Sequence, residues 1–140
     1  MRATVLPIEP TFLSLDFIYV PTRDVDDTVR HYVEALGAEL KWKVRGMGTV
    51  VACLVLAGDG PSVLLSGHLS GDVPVLVYRV ADYAATVAGL RAAGVEGLHE
   101  LEIPHGPCAS FRAPGGQRYA VYQLVRPDAA TFFDGRVDDA

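Results

Sequence analysis

The chain has 140 residues, half of them apolar and 21% charged, with a formal net charge of −5. A chain of this size buries about two-thirds of its unfolded surface as one domain without metal or disulfide support, and this composition excludes a disordered or coiled-coil protein. Ten of the twelve basic residues are Arg and none are clustered, so nucleic acid is not an expected partner; two cysteines, Cys53 and Cys108, are too few for a disulfide scaffold. Met1 to Pro10 holds one Arg and no apolar run, so it does not read as an export signal. The longest apolar stretch, Val50 to Ala57, is far short of the roughly 20 residues that span a bilayer. A cytoplasmic protein with no membrane partner is expected.

Leu13–Val20 reads as a strand, rich in aromatic and branched residues. Asp24 stands at a helix N-cap, and Val25, Val29, Tyr32, Val33 and Leu36 follow at helical spacing before Gly37. Three strands are expected next, Glu39–Val44, Thr49–Leu56 and Ser62–Ser66, with turns at Gly46, Gly48 and Gly58–Pro61. The pattern then repeats. Val73–Val80 is strand-like, Asp82 is a second N-cap, and Tyr83, Val87 and Leu90 form a stripe closed by Gly94. Strands are expected at Val95–Ile103, Cys108–Ala113 and Arg118–Val125.

The two halves keep their spacing. Asp24 maps to Asp82 at +58, Gly37 to Gly94 at +57, and Ala57-Gly58-Asp59-Gly60 to Ala113-Pro114-Gly115-Gly116 at +56. This is an internal duplication. It predicts an α+β fold of two tandem βαβββ modules, about 11–70 and 71–126, in a single domain spanning 1–126. One module alone leaves a sheet face uncovered, which is the physical reason to pair two. Residues 127–140 carry four Asp and no period. They are expected to fray, with Phe132-Phe133 the segment able to dock on the body.

Two βαβββ modules resemble the vicinal oxygen chelate superfamily, which includes glyoxalase I, extradiol dioxygenases and bleomycin-resistance binding proteins. Leu15-Asp16-Phe17-Ile18-Tyr19-Val20, Arg23-Asp24 and His31-Tyr32-Val33-Glu34-Ala35-Leu36-Gly37 look like its opening strand, cap and helix end. Phe111-Arg112-Ala113-Pro114-Gly115-Gly116-Gln117 looks like its "FxDPxGN" turn, with Ala113 in place of the Asp. The resemblance implies curved mixed sheets with helices outside, and a homodimer. It also implies metal ligands on the opening and closing strand of each module, which fall here on Phe17, Leu64, Val75 and Ala120. None has a lone pair to offer a cation. A one-residue shift brings in Asp16 but leaves Pro74, Val63 and Tyr119 or Val121 elsewhere. No metal and no other cofactor are therefore expected.

Among the histidines, His31 reads as a surface residue and His68 as a loop residue. Strand alternation separates His99 from Glu102. His105 stands at the mouth of the last hairpin, where family members contact substrate. Cys53 and Cys108 read as small buried hydrophobes. Phe17 and Tyr19 share a strand face, and Tyr122 lies on the same side as Ala120. With the metal positions apolar, the resemblance implies an aromatic-edged pocket on the concave side of the sheet. The expected ligand-binding residues are Phe17, Tyr19, Trp42, Leu64, Val75, His105, Phe111, Ala120 and Tyr122.

The expected function is a metal-free, non-catalytic binder that sequesters an apolar or aromatic compound, an antibiotic or other natural product, as in bleomycin resistance. Two alternatives stand beside it. One is a glyoxalase-like enzyme, either a cofactor-free isomerase, cyclase, lyase or hydrolase with His105 or Tyr122 as acid–base, or a metal enzyme with relocated ligands. The other is a regulatory module that binds a partner through the tail.

Overall fold

The computed structural model describes residues 11–46 and 48–139; the reading of Met1 to Pro10 lies outside them. The elements are β1 (Phe12–Pro21), α1 (Val25–Leu36), β2 (Glu39–Gly46), β3 (Thr49–Val55), β4 (Ser62–Ser66), β5 (Val75–Val80), α2 (Tyr83–Ala92), β6 (His99–Ile103), β7 (Gly106–Arg112) and β8 (Arg118–Tyr122). The order β-α-β-β-β occurs twice. All eight strands form one curved mixed sheet in the order β2-β3-β4-β1-β5-β8-β7-β6. The fold is α+β, as the repeat predicts.

Within each half the first strand pairs parallel with the last, β1 with β4 and β5 with β8. Parallel neighbours need a long crossover, and each helix begins it. The halves meet where β1 pairs antiparallel with β5. Asp24 and Asp82 cap the helices as expected, accepting bonds from Asp27 N (2.9 Å) and Ala85 N (3.0 Å). Val25 and Val29 of α1 pack on Ala52, Leu54, Val63 and Leu65. Val87 of α2 packs on Val80, Ala109 and Val121. Both helices thus cover one face of the sheet and leave the other helix-free. That second face carries its own apolar cluster of Val75, Val77, Cys108, Ala120 and Tyr122.

Some boundaries differ from expectation for local reasons. β6 begins at His99 rather than Val95, because Gly94 and Gly97 both take left-handed φ values, +93° and +70°, which a strand does not accommodate. β5 begins at Val75, after Pro74, which has no N–H for a ladder. The C-terminal segment does not fray. After a short 3-10 turn at Pro127–Ala130 it reaches β2, where Gly135 N bonds Lys41 O (2.9 Å) and Lys43 N bonds Arg136 O (2.8 Å). Asp138 N bonds Lys43 O (2.8 Å), Val137 makes a parallel bridge with Lys43, and Arg45 N donates to Asp138 Oδ2 (2.8 Å).

Two glycines separate conformational from steric demand. Gly37 ends α1 at φ +73° with open space around it, whereas a Cβ on Gly106 (φ +155°) would lie 2.1 Å from Gln123 O. Gly37→Ala should therefore cost about 1–2 kcal/mol, the ordinary left-handed penalty. Gly106→Ala should cost clearly more, by forcing β7 from the segment after β8. Urea unfolding of both variants checks this, and equal losses would contradict the assigned close approach.

Candidate functional site

The helix-free face is built around β1 and its irregularities. Phe17 lies opposite Val77, and Tyr19 opposite both Val75 of β5 and Leu64 of β4. Ala120 of β8 lies opposite Val77, and Tyr122 opposite Cys108 of β7. Directly paired residues share a face, so these side chains meet. Phe17 and Tyr19 pack on the cluster of Val75, Val77, Cys108, Ala120 and Tyr122. The floor is dry: Val75 is 7% exposed, Ala120 4% and Tyr122 2%. Crevices of about 480 and 240 Å³ beside the N-terminus of α1 are lined mainly by polar residues and include none of these groups.

The pairing with β5 slips by one residue between Leu15 and Phe17, a bulge at Asp16. An extra residue breaks alternation, and it turns the Asp16 carboxylate toward the face that carries Phe17. There the Tyr122 hydroxyl donates to Asp16 Oδ2 at 2.5 Å and the Ser14 hydroxyl to Oδ1 at 2.6 Å. Arg79 Nε stands 3.4 Å from Oδ2.

His105, in the turn between β6 and β7, closes the group. Its ring lies edge-on to Phe17 (centroids 5.2 Å apart) and to Tyr122 (5.8 Å). Its Nδ1 is buried without a hydrogen-bond partner among the described residues. Burial holds the His105 pKa below the ordinary histidine value, while Asp16 pulls it up and Arg126 pushes it down. Burial also raises the Tyr122 hydroxyl, and the bond to Asp16 adds to that rise. Tyr19 is raised in the same direction by burial and by Cys108, whose thiol is itself pushed up to about 11. The result is a neutral imidazole and a protonated phenol beside the Asp16 side chain at one apolar wall. Such a set can orient a ligand through a few polar contacts, or move a proton.

The nine expected ligand residues divide into three groups. Phe17, Tyr19, Val75, His105, Ala120 and Tyr122 converge on the face just described. Leu64 and Trp42 continue it into the first half, since Leu64 pairs with Cys53 and Cys53 with Trp42. Phe111 does not join them. It packs with the α2 cluster and stacks on Tyr119 at 5.8 Å. Alternation along β7 puts Cys108 on the helix-free face, so Ala109 and Phe111 face α2.

Asp16, Ser14 and Arg79 were missed as members of the site. The available signal was a carboxylate inside an otherwise apolar strand. Strict alternation placed it on the wrong face. The positions on which the resemblance puts metal ligands are Phe17, Leu64, Val75 and Ala120. Among the described residues no three His, Cys, Asp or Glu side chains gather as a ligand set. Asp16, the nearby carboxylate, is engaged by Tyr122, Ser14 and Arg79. These residues do not fit a divalent cation.

A family model described as Glyoxalase/Bleomycin resistance protein/Dioxygenase superfamily matches residues 14–120. The crystal structure of methylmalonyl-CoA epimerase from Mycobacterium tuberculosis superposes with a TM-score of 0.70 at 20% identity, covering 89% of this chain and 97% of that one. A methylmalonyl-CoA epimerase in complex with methylmalonyl-CoA and NH4+ gives 0.60 at 19% identity, covering 81% and 96%. Catechol 2,3-dioxygenase gives 0.60 at 13% identity, covering 82% of this chain and 42% of its own. No curated protein sequence matches the chain. At these identities the structural likeness establishes the fold alone.

The polar group has a measurable signature. The unfolded chain protonates His105 near its ordinary value of about 6.5 and the folded chain only at lower pH, so this residue removes stability as pH falls below about 6.5. Between pH 7.5 and 5.5, wild type should lose more unfolding free energy than His105→Leu; an equal loss would contradict the assigned burial. Tyr122→Phe should cost about 1–3 kcal/mol at neutral pH, since it strips a donor from a half-buried carboxylate.

Proposed function

This chain belongs to the Glyoxalase/Bleomycin resistance protein/Dioxygenase superfamily, and from that premise we propose that it is a small-molecule binding protein. It takes an apolar or aromatic compound on the helix-free face and sequesters it without a metal, in the manner of a resistance protein. One observation carries this: Phe17, Tyr19, His105 and Tyr122 gather on the helix-free face, and the resemblance, by putting metal positions on Phe17, Leu64, Val75 and Ala120, supports a site without a cation. Aromatic walls with a few oriented polar groups suit a flat ligand. The acidic balance adds a weak preference for neutral or cationic compounds. A homodimer with two equivalent sites is part of the proposal, in keeping with the two-fold symmetry usual in oligomers.

A second reading has its own support. The Tyr122–Asp16 bond beside His105 is an acid–base arrangement. An isomerase or related enzyme of a small metabolite would use Asp16 to accept a proton, with Tyr122 and His105 as donors to the developing charge. The CoA-ester epimerases of the same fold make acyl thioesters worth including among trial substrates.

Titration with aromatic natural products, followed through Trp42 emission and by mass spectrometry of the recovered ligand, separates the readings. The binder should saturate at one ligand per chain, return it unchanged, and keep its affinity after dialysis against a chelator. Phe17→Ala should weaken binding at least tenfold. Turnover that disappears in Asp16→Asn would establish the enzyme instead, and affinity lost with the chelator would overturn the metal-free assignment.

A further inference from the structure

The C-terminal segment occupies part of the face assigned to ligand, and the register shows how. β8 is flanked by β5 and β7, so the chain that leaves it reaches the far edge strand β2 by passing over one face of the sheet. Phe133 identifies the face. Its ring lies 5.3 Å from Trp42, and Trp42 stands opposite Cys53, which stands opposite Leu64, which stands opposite Tyr19. Ala52, Leu54, Val63 and Leu65, the alternating neighbours of Cys53 and Leu64, pack on α1. Trp42, Cys53, Leu64 and Tyr19 therefore form one row on the helix-free side, and Phe133 caps its outer end. Trp42 owes this orientation to a second bulge, between Leu40 and Trp42; Leu40 itself packs toward α1.

The cap is lightly held. Residues 127–139 are mostly exposed and keep their place by three backbone bonds to Lys41 and Lys43, the Arg45–Asp138 bond and the Phe133 contact. Ordering so long a segment costs entropy at every residue, so a few bonds along the edge strand leave it close to balance. The neighbouring Phe132 is 75% exposed. The Arg136 guanidinium lies 5.6 Å from the centre of the Phe133 ring, and Phe132 meets that ring edge-on with centroids 5.0 Å apart, so the capping ring keeps its own partners on the strap.

We propose that Phe133 is an internal stand-in for ligand: its ring holds the place on Trp42 that a flat aromatic ring takes when the strap lifts. Residues 127–139 thereby gate the first-half end of the binding face and set a preference for planar aromatic compounds. This rests on the binding reading above. A bound molecule with such a ring displaces Phe133, stacks on Trp42 and extends along Leu64 and Tyr19 toward Phe17.

The test uses N-phenyl-1-naphthylamine, an uncharged probe with a planar naphthyl ring that accepts energy from tryptophan, and Trp42 is the chain's single tryptophan donor. Phe133→Ala should bind the probe at least fivefold more tightly than wild type, with energy transfer from Trp42 and a red-shifted Trp42 emission before probe is added. A chain ending at Arg126 should behave likewise. Phe133→Tyr, which keeps a ring on Trp42, should match wild type and serves as the folding control. Adding Trp42→Leu to Phe133→Ala should remove the gain in probe affinity. Equal affinity in wild type and Phe133→Ala would overturn the strap while leaving the binding reading intact. A gain that survives Trp42→Leu would also overturn the strap. Failure of every form to bind any planar aromatic compound would overturn both.

Discussion

The seam between β1 and β5 is the constraint on which the rest of the molecule depends. Each half is a sheet of four strands with one helix on one side, and neither half alone encloses its helix-free face. The antiparallel pairing of β1 with β5 joins the two into one curved sheet. It also sets Phe17 and Tyr19 of one half against Val77 and Val75 of the other. The buried cluster on that face comes from β5, β7 and β8 of the second half, and the seam is what brings Phe17 and Tyr19 of β1 onto it.

Regular pairing along the seam would bury hydrocarbon and nothing else. The bulge at Asp16 changes its chemistry, because the additional residue places a carboxylate among Phe17, Tyr122 and His105. An unpartnered carboxylate in such surroundings is costly. Here it is satisfied by Tyr122 and Ser14, with Arg79 close by. The bulge at Lys41 acts in the same way at the other end of the face, turning Trp42 to the helix-free side, where Phe133 meets it. Two single-residue irregularities thus supply the polar centre and the aromatic end of one surface. Bulges are where strands re-aim side chains.

The helix-free face shows how a shared scaffold can carry a different set of side chains. Members of a superfamily share a scaffold rather than a reaction. Here that face carries the hydrocarbon side chains of Phe17, Leu64, Val75 and Ala120 and a hydrogen-bonded carboxylate on the bulge beside them. The proposed binding by shape and aromatic contact, and the alternative of proton transfer at Asp16, would both draw on this combination.

Periodicity, caps and glycines in the sequence determined the element order, the twofold repeat and the α+β fold, because these depend on contacts between residues close in the chain. Asp24 and Asp82 are legible as caps for that reason, as are the Val25 and Val29 stripe and the turn at Gly37. Alternation also paired Phe17 with Tyr19 and Ala120 with Tyr122, and the family resemblance, not periodicity, put these and Val75 on one side. Only the tertiary structure decided the membership of Asp16 and Arg79, the exclusion of Phe111 and the docking of Phe133 on Trp42. A bulge arises from register between strands distant in sequence, and a single slip reverses the facing of every residue beyond it. The tail has no period of its own because its order comes from an edge strand some ninety residues away, as the Arg45–Asp138 bond records.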